Sequence, residues 1–153
     1  LAAGQAMRTK LLTWQKTNFT EARKLAKKDN RKAFVFGSQK DPVAAWQMAN
    51  VLSQHSVQLH KLAGSVTIKD KTLSNGYVAK LDQDQYRLLK SVFDPMTSFN
   101  DNAFYDVSSW HFPSAYGVDY MALDKLGSLA GEAIEELSFP TGTFHAADDD
   151  LSS

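Results

Sequence analysis

The spacing of apolar residues changes period several times along the chain, and each change marks the border of an element. From Gln5 to Lys28, Met7, Leu11, Trp14, Ala22 and Leu25 fall near one helical stripe, while Arg8, Lys10, Lys16, Arg23 and Lys24 lie elsewhere. This predicts one long helix, or two broken near Asn18-Phe19-Thr20, with Asp29-Asn30 as the stop. The run Ala33-Phe34-Val35-Phe36 is continuously apolar, as expected of a strand buried on both faces of a parallel sheet. Gly37 to Pro42 turns the chain, with Asp41 placed to cap a helix and Pro42 at its first position. That helix runs through Ala45, Trp46, Ala49 and Leu52 to His55-Ser56, and Val57 to Leu62 then alternates apolar and polar as a strand does. Strand, helix and strand in sequence predict a βαβ unit and hence a parallel sheet.

Val66-Thr67-Ile68 and Thr72-Leu73, joined at Lys69-Asp70-Lys71, predict a small inserted hairpin. A short strand, Tyr77 to Leu81, follows, and then a helix for which Asp82 is the expected cap, with Gln85 reaching back to it. Leu88, Leu89, Val92 and Phe93 mark its apolar face, and Asp94-Pro95 ends it, because a residue before proline is pushed out of the helical region. Beyond Pro95 the chain becomes aromatic; Asp106 is the expected cap of a short helix through Trp110 that ends at Gly117. Leu126, Leu129, Ala133, Ile134 and Leu137 suggest one further amphipathic helix, and the acidic stretch Asp148 to Asp150 with Ser152-Ser153 a mobile tail. The expected fold is therefore α/β: a mostly parallel sheet flanked by helices, with a small inserted hairpin. Its parts are a helical linker over residues 1–29 that packs on the domain, the α/β domain over 30–126, and a C-terminal helix with the acidic tail over 127–153.

Composition narrows the partners more than the fold. A chain of 153 residues fits one domain that buries roughly 70% of its unfolded surface. With 17 basic and 17 acidic residues and no net charge, it offers no overall field to draw nucleic acid or an anionic membrane. The lack of cysteine removes disulfides, thiolate zinc sites and a cysteine nucleophile together. No window approaches the roughly 18 apolar residues needed to span a bilayer. The opening Leu1-Ala2-Ala3-Gly4 has neither a basic region nor an apolar run, so the chain carries no targeting signal and is expected to be a fragment of something longer.

Few residues fit a reactive constellation. None of His55, His60, His111 and His145 belongs to an H-E-x-x-H or H-x-x-E motif, and no G-x-S-x-G pentad occurs. Gly37-Ser38 joins a strand to a helix but lacks the further glycines of a phosphate loop. Asp82 with Asp84, and Glu132 with Glu135 and Glu136, are better explained as capping and solvated helix charges than as an acid and base pair. Two surfaces stand out. Tyr105, Trp110 and His111 form a candidate docking surface, weighed against an aromatic satellite core. Ser38, Lys61 and Asp82 form a candidate ligand end, where strands of an open α/β sheet terminate.

The segment from Ala33 to Leu123, above all NGYVAKLDQDQYR, QYRLLKSVFDPMTSF and NAFYDVSSWHFPSAYGVDY, resembles the region that follows the catalytic domain in large bacterial zinc carboxypeptidase-like proteins. That region is similar to a class I glutamine amidotransferase-like domain of flavodoxin-like fold. The resemblance implies a parent with a carboxypeptidase A-type metallopeptidase domain, which would hold the zinc and be this domain's partner in the same polypeptide. It further implies an extracytoplasmic, periplasmic or secreted, location; apart from the resemblance, a self-associating structural domain, and hence a homo-oligomer, is a third possibility. Amidotransferases place a cysteine on the turn after a central strand; here that turn is Asp82-Gln83, which cannot supply a thiolate. The expectation is a non-catalytic accessory domain without a cofactor of its own, or alternatively a small-ligand binding module.

Overall fold

A computed structural model of the chain describes residues 2–94 and 111–141. Its first element, α1 (Ala2–Lys28), is one unbroken helix of 27 residues, about 40 Å long at 1.5 Å per residue. Only Ala22 and Ala26 of α1 are buried; their small side chains let the last two turns lie close on the domain. β1 (Ala33–Gly37) is buried at every position. α2 (Pro42–Gln54) begins as the sequence suggests: the Asp41 carboxylate accepts the Ala44 N–H and Pro42 opens the helix. β2 (Leu59–Leu62), β3 (Val66–Ile68), β4 (Lys71–Leu73) and β5 (Tyr77–Lys80) follow, then α3 (Tyr86–Phe93), α4 (Phe112–Ala115), β6 (Asp119–Leu123) and β7 (Ala130–Ala133).

The sheet is not parallel. Its order is β6-β1-β5-β2-β7, and each of the four pairings is antiparallel. β1 and β2 do run in the same direction, with α2 crossing between them, but β5 lies in the gap and pairs with both, Phe34 to Ala79 on one side and Leu59 to Ala79 on the other. β5 and β6 likewise flank β1. Two such interleaved units make the split βαβ, ferredoxin-like arrangement, with β7 added outside β2. This overturns the expected mostly parallel, flavodoxin-like and amidotransferase-like sheet. The physical reason lies in the cover of β1. Its apolar run is buried on both faces because helices cover one face and the β3-β4 hairpin the other, a situation that the sequence pattern does not distinguish from a strand inside a parallel sheet.

Alternation along the strands builds one core on each face. Phe34, Phe36, Leu59, Ala79 and Tyr120 meet Met48, Leu52, Leu89 and Phe93 of the helices. Phe93 is the centre of this layer, stacked on Phe34 with centroids 4.6 Å apart and tilted against Phe36 and Tyr120 at 5.6 and 5.8 Å. On the opposite face Ala33, Val35, Val78 and Leu123 are roofed by Val66, Ile68 and Leu73 of the hairpin. The hairpin turns through Lys69 and Asp70, both at positive φ (47° and 67°), as a two-residue loop that follows strand twist requires.

Several local expectations change. α3 starts at Tyr86 after Gln85, and no side chain caps it; Asp82 is not its cap, because Gln83 closes the preceding turn. Residues 126–137, read as an amphipathic helix, instead contain β7, whose backbone completes the edge of β2. β6 was not anticipated as a strand. Asp106 and Trp110, read as part of a helix, and the acidic tail lie outside the described residues; the described remainder is the single turn α4, followed by Gly117 at φ 64°.

Candidate functional site

Among the described residues, a polar site lies where β1 ends and α2 begins. Ser38, buried to 9% exposure, accepts the Asp41 N–H on its Oγ at 3.0 Å. This holds the turn so that Asp41 can in turn cap α2. β6 starts directly beside this turn, with Asp119 opposite Gly37, and the hairpin brings Lys71 to 3.5 Å from the Asp119 carboxylate. Together with Lys40 and Thr72 these groups line a half-open cavity of about 420 Å³. Two lysines, two aspartates and two hydroxyls converge there, a lining suited to a small polar ligand that carries both charges.

The close crossing behind the cavity depends on two glycines. A Cβ on Gly76 would stand 2.6 Å from the Phe36 carbonyl oxygen, and one on Gly37 would stand 2.9 Å from that of Asn75. Neither position has room for a side chain, so the return from β4 to β5 can pass directly under the end of β1.

The antiparallel order separates the residues that sequence reasoning grouped as a ligand end. Ser38 and Lys61 share one end of the sheet, because β1 and β2 run the same way, and only Ser38 lines the cavity. Asp82 follows β5, which runs oppositely, and lies at the other end beside Lys27, Arg31 and Lys32 in a hollow of about 160 Å³. Lys71 and Asp119 were missed. Their signals were present as a hairpin and an aspartate before a half-apolar run, but nothing local showed that the hairpin folds over the sheet.

The Asp82-Gln83 turn is closed by a buried clasp. The Gln83 side-chain oxygen accepts the Gln58 N–H at 2.8 Å, and its amide nitrogen donates to the carbonyls of Gln58 and Lys80 at 3.2 and 2.6 Å. The amide thereby ties the start of β2 to the end of β5. Of the proposed docking surface, Tyr105 and Trp110 lie outside the described residues. The His111 ring sits 4.8 Å from that of Tyr120, centroid to centroid, and contacts Ser114 Oγ and the Phe93 carbonyl at 3.0 and 3.3 Å.

A second polar cluster joins α1, β1 and α3. Asp29 accepts from Arg31 at 3.0 Å and from the Tyr86 hydroxyl at 2.9 Å, and Arg31 also donates to Asp94 at 2.5 Å. Lys90 completes it, 3.4 Å from Asp94. The Arg31 hydrogen bonds hold the Asp29 carboxyl well below the usual carboxylate range, against the opposing effect of burial. Burial, then the bond to Asp29, pushes the Tyr86 phenol up. At Asp94 burial acts upward, yet Arg31 and Lys90 together bring the carboxyl below its ordinary value. All five partners are consumed by one another, and the cluster reads as a clamp rather than a reactive set.

Among the described residues no three histidine or acidic side chains converge as metal ligands, and no helix is long and apolar enough to cross a membrane. The class defined by these observations is a split βαβ domain with a polar cavity at the end of β1. No family model, curated protein or solved structure matches the chain.

Proposed function

We propose that this chain is a non-catalytic accessory domain of a zinc carboxypeptidase-like protein, with the metallopeptidase domain of the same polypeptide as its partner and as the holder of the zinc. The observation that carries this reading is the Gln83 clasp. The Asp82-Gln83 turn carries no thiol, and the oxygen and nitrogen of the Gln83 amide are both engaged by backbone groups. The described parts of the sequence words that carry the resemblance fall on β5, α3, α4 and the start of β6. A domain of this kind would shape access for peptide or cell-wall substrates outside the cytoplasm. The test is to assay the purified chain for carboxypeptidase and glutaminase activity with and without added zinc, and to titrate it with the metallopeptidase domain of its own polypeptide. Silence in both assays with saturable binding is expected. Zinc-dependent turnover that survives repurification overturns the reading.

The cavity beside Ser38 favours a second reading, a module that binds a small polar ligand. Its lining of about 420 Å³ carries both lysines and aspartates, which fits a zwitterion such as a free amino acid or the end of a peptide. Thermal-shift screening with amino acids, muropeptides and nucleotides discriminates: a shift confined to zwitterions that Lys71→Ala removes supports it, and uniform silence argues against it.

A further inference from the structure

Of the six large apolar side chains that stand exposed among the described residues, Met7, Leu11, Leu12, Trp14 and Leu25 belong to α1. Met7, Leu11 and Trp14 are 66%, 61% and 68% exposed and follow the i, i+4, i+7 spacing by which a helix anchors in a partner. Leu25 lies two heptads beyond Leu11 on the same side, so the stripe runs on into the anchored part of the helix. The stretch from Ala2 to Thr17 is exposed throughout and is a poor helix in isolation. It contains Gly4 and β-branched Thr9, Thr13 and Thr17, and Thr9 turns its hydroxyl back to the Gln5 carbonyl at 3.0 Å. A helix of this length and composition is marginal in water without a partner.

The charges say what kind of partner fits. In the anchored half Arg23 pairs with Asp84 at 2.5 Å and Glu21 with Arg87 at 3.5 Å. The projecting half carries Arg8, Lys10 and Lys16, no acidic residue, and no ion pair among the described residues. We propose that the projecting half of α1 is a docking helix whose occupant is an amphipathic helix of a protein partner, with an apolar seam flanked by carboxylates. Arg8 and Lys10 border the stripe, while Lys16 lies on the opposite side of the helix; a second copy of α1 fits poorly, because its projecting half offers those two cations no carboxylate. A lipid surface fits poorly as well, because Gln5, Thr9, Thr13 and Gln15 leave only a narrow apolar stripe. This assignment stands on α1 alone and does not depend on the identity of the parent.

Two synthetic peptides of about four heptads, both with Leu at a and d, one with Glu and one with Lys at e and g, test it against the full chain by fluorescence anisotropy. The Glu peptide is expected to bind at least about tenfold more tightly than the Lys peptide, with affinity falling as salt rises. Leu11→Ser with Trp14→Ser abolishes that binding, and Arg8→Glu with Lys10→Glu reverses the preference. All four positions are solvent-exposed, so the domain core, checked by near-UV dichroism, is unchanged. Equal binding of both peptides, or binding of neither up to about 100 µM, overturns the proposal. So does association with phosphatidylglycerol vesicles in place of the peptides, which would assign α1 to a membrane surface. A concentration-dependent doubling of mass that Leu11→Ser with Trp14→Ser removes would assign it to a second copy, and overturns the proposal equally.

Discussion

Replacing Gln83 by methionine keeps the volume of the side chain and removes the clasp between β2 and β5. Gln83 is 8% exposed, and its three hydrogen bonds engage the Gln58 N–H and two backbone carbonyls. At a net contribution of about 1 kcal/mol each, the substitution costs about 3 kcal/mol. For a domain of this size that lowers Tm by roughly 6–12 °C. Urea unfolding followed by far-UV dichroism measures it, with the midpoint falling and the denaturant slope unchanged. Gln83→Glu adds a sign test. A carboxylate there faces two carbonyl oxygens, so its folded pKa lies above the unfolded value of about 4.3; the variant is nearest wild type at acid pH and loses stability as pH rises. A loss under about 1 kcal/mol for Gln83→Met, or a Gln83→Glu variant relatively most stable at neutral pH, would refute the clasp.

Other substitutions probe the remaining supports. The Asp29 carboxyl is held low by Arg31, so its contribution is fully present above the unfolded carboxylate pKa of about 3.9 and is lost as pH falls toward the folded value. Thermal scans between about pH 2 and pH 6 should show that Asp29→Asn lowers stability at the upper end and flattens the acid decline. Gly76→Ala forces a Cβ to 2.6 Å from the Phe36 carbonyl oxygen and should cost about 2 kcal/mol in chemical denaturation. Asp70→Gly relieves a non-glycine residue at φ 67° and should gain about 1 kcal/mol by the same measurement.

What could be read from sequence was set by the range of each cue. The start of α2 at Asp41-Pro42, the hairpin, whose expected connection Lys69-Asp70-Lys71 gives up Lys71 to β4, and the end of α3 before Asp94 are decided by neighbouring residues and lie at or within one residue of where the sequence puts them. Strand partners are decided by distant ones. Ala33 to Phe36 has the same apolar pattern whether a second layer of helices or a hairpin covers it, and the insertion of β5 between β1 and β2 leaves no mark in either strand. β7 has the sequence Ala-Gly-Glu-Ala, which favours no strand by propensity; the open edge of β2 makes it one. The candidate site divides in the same way. Ser38 was legible as a turn between strand and helix, whereas Lys71 and Asp119 reach it only through tertiary folding. Asp82 was misplaced because the direction of β5 was.

The strand order is the claim on which the placement of every site residue rests, and interstrand nuclear Overhauser contacts measure it directly. The account predicts backbone contacts from Phe34 to Ala79 and from His60 to Val78, with none between β1 and β2. Direct backbone contacts from Phe34 or Val35 to His60 would restore a parallel β1-β2 pair and contradict it.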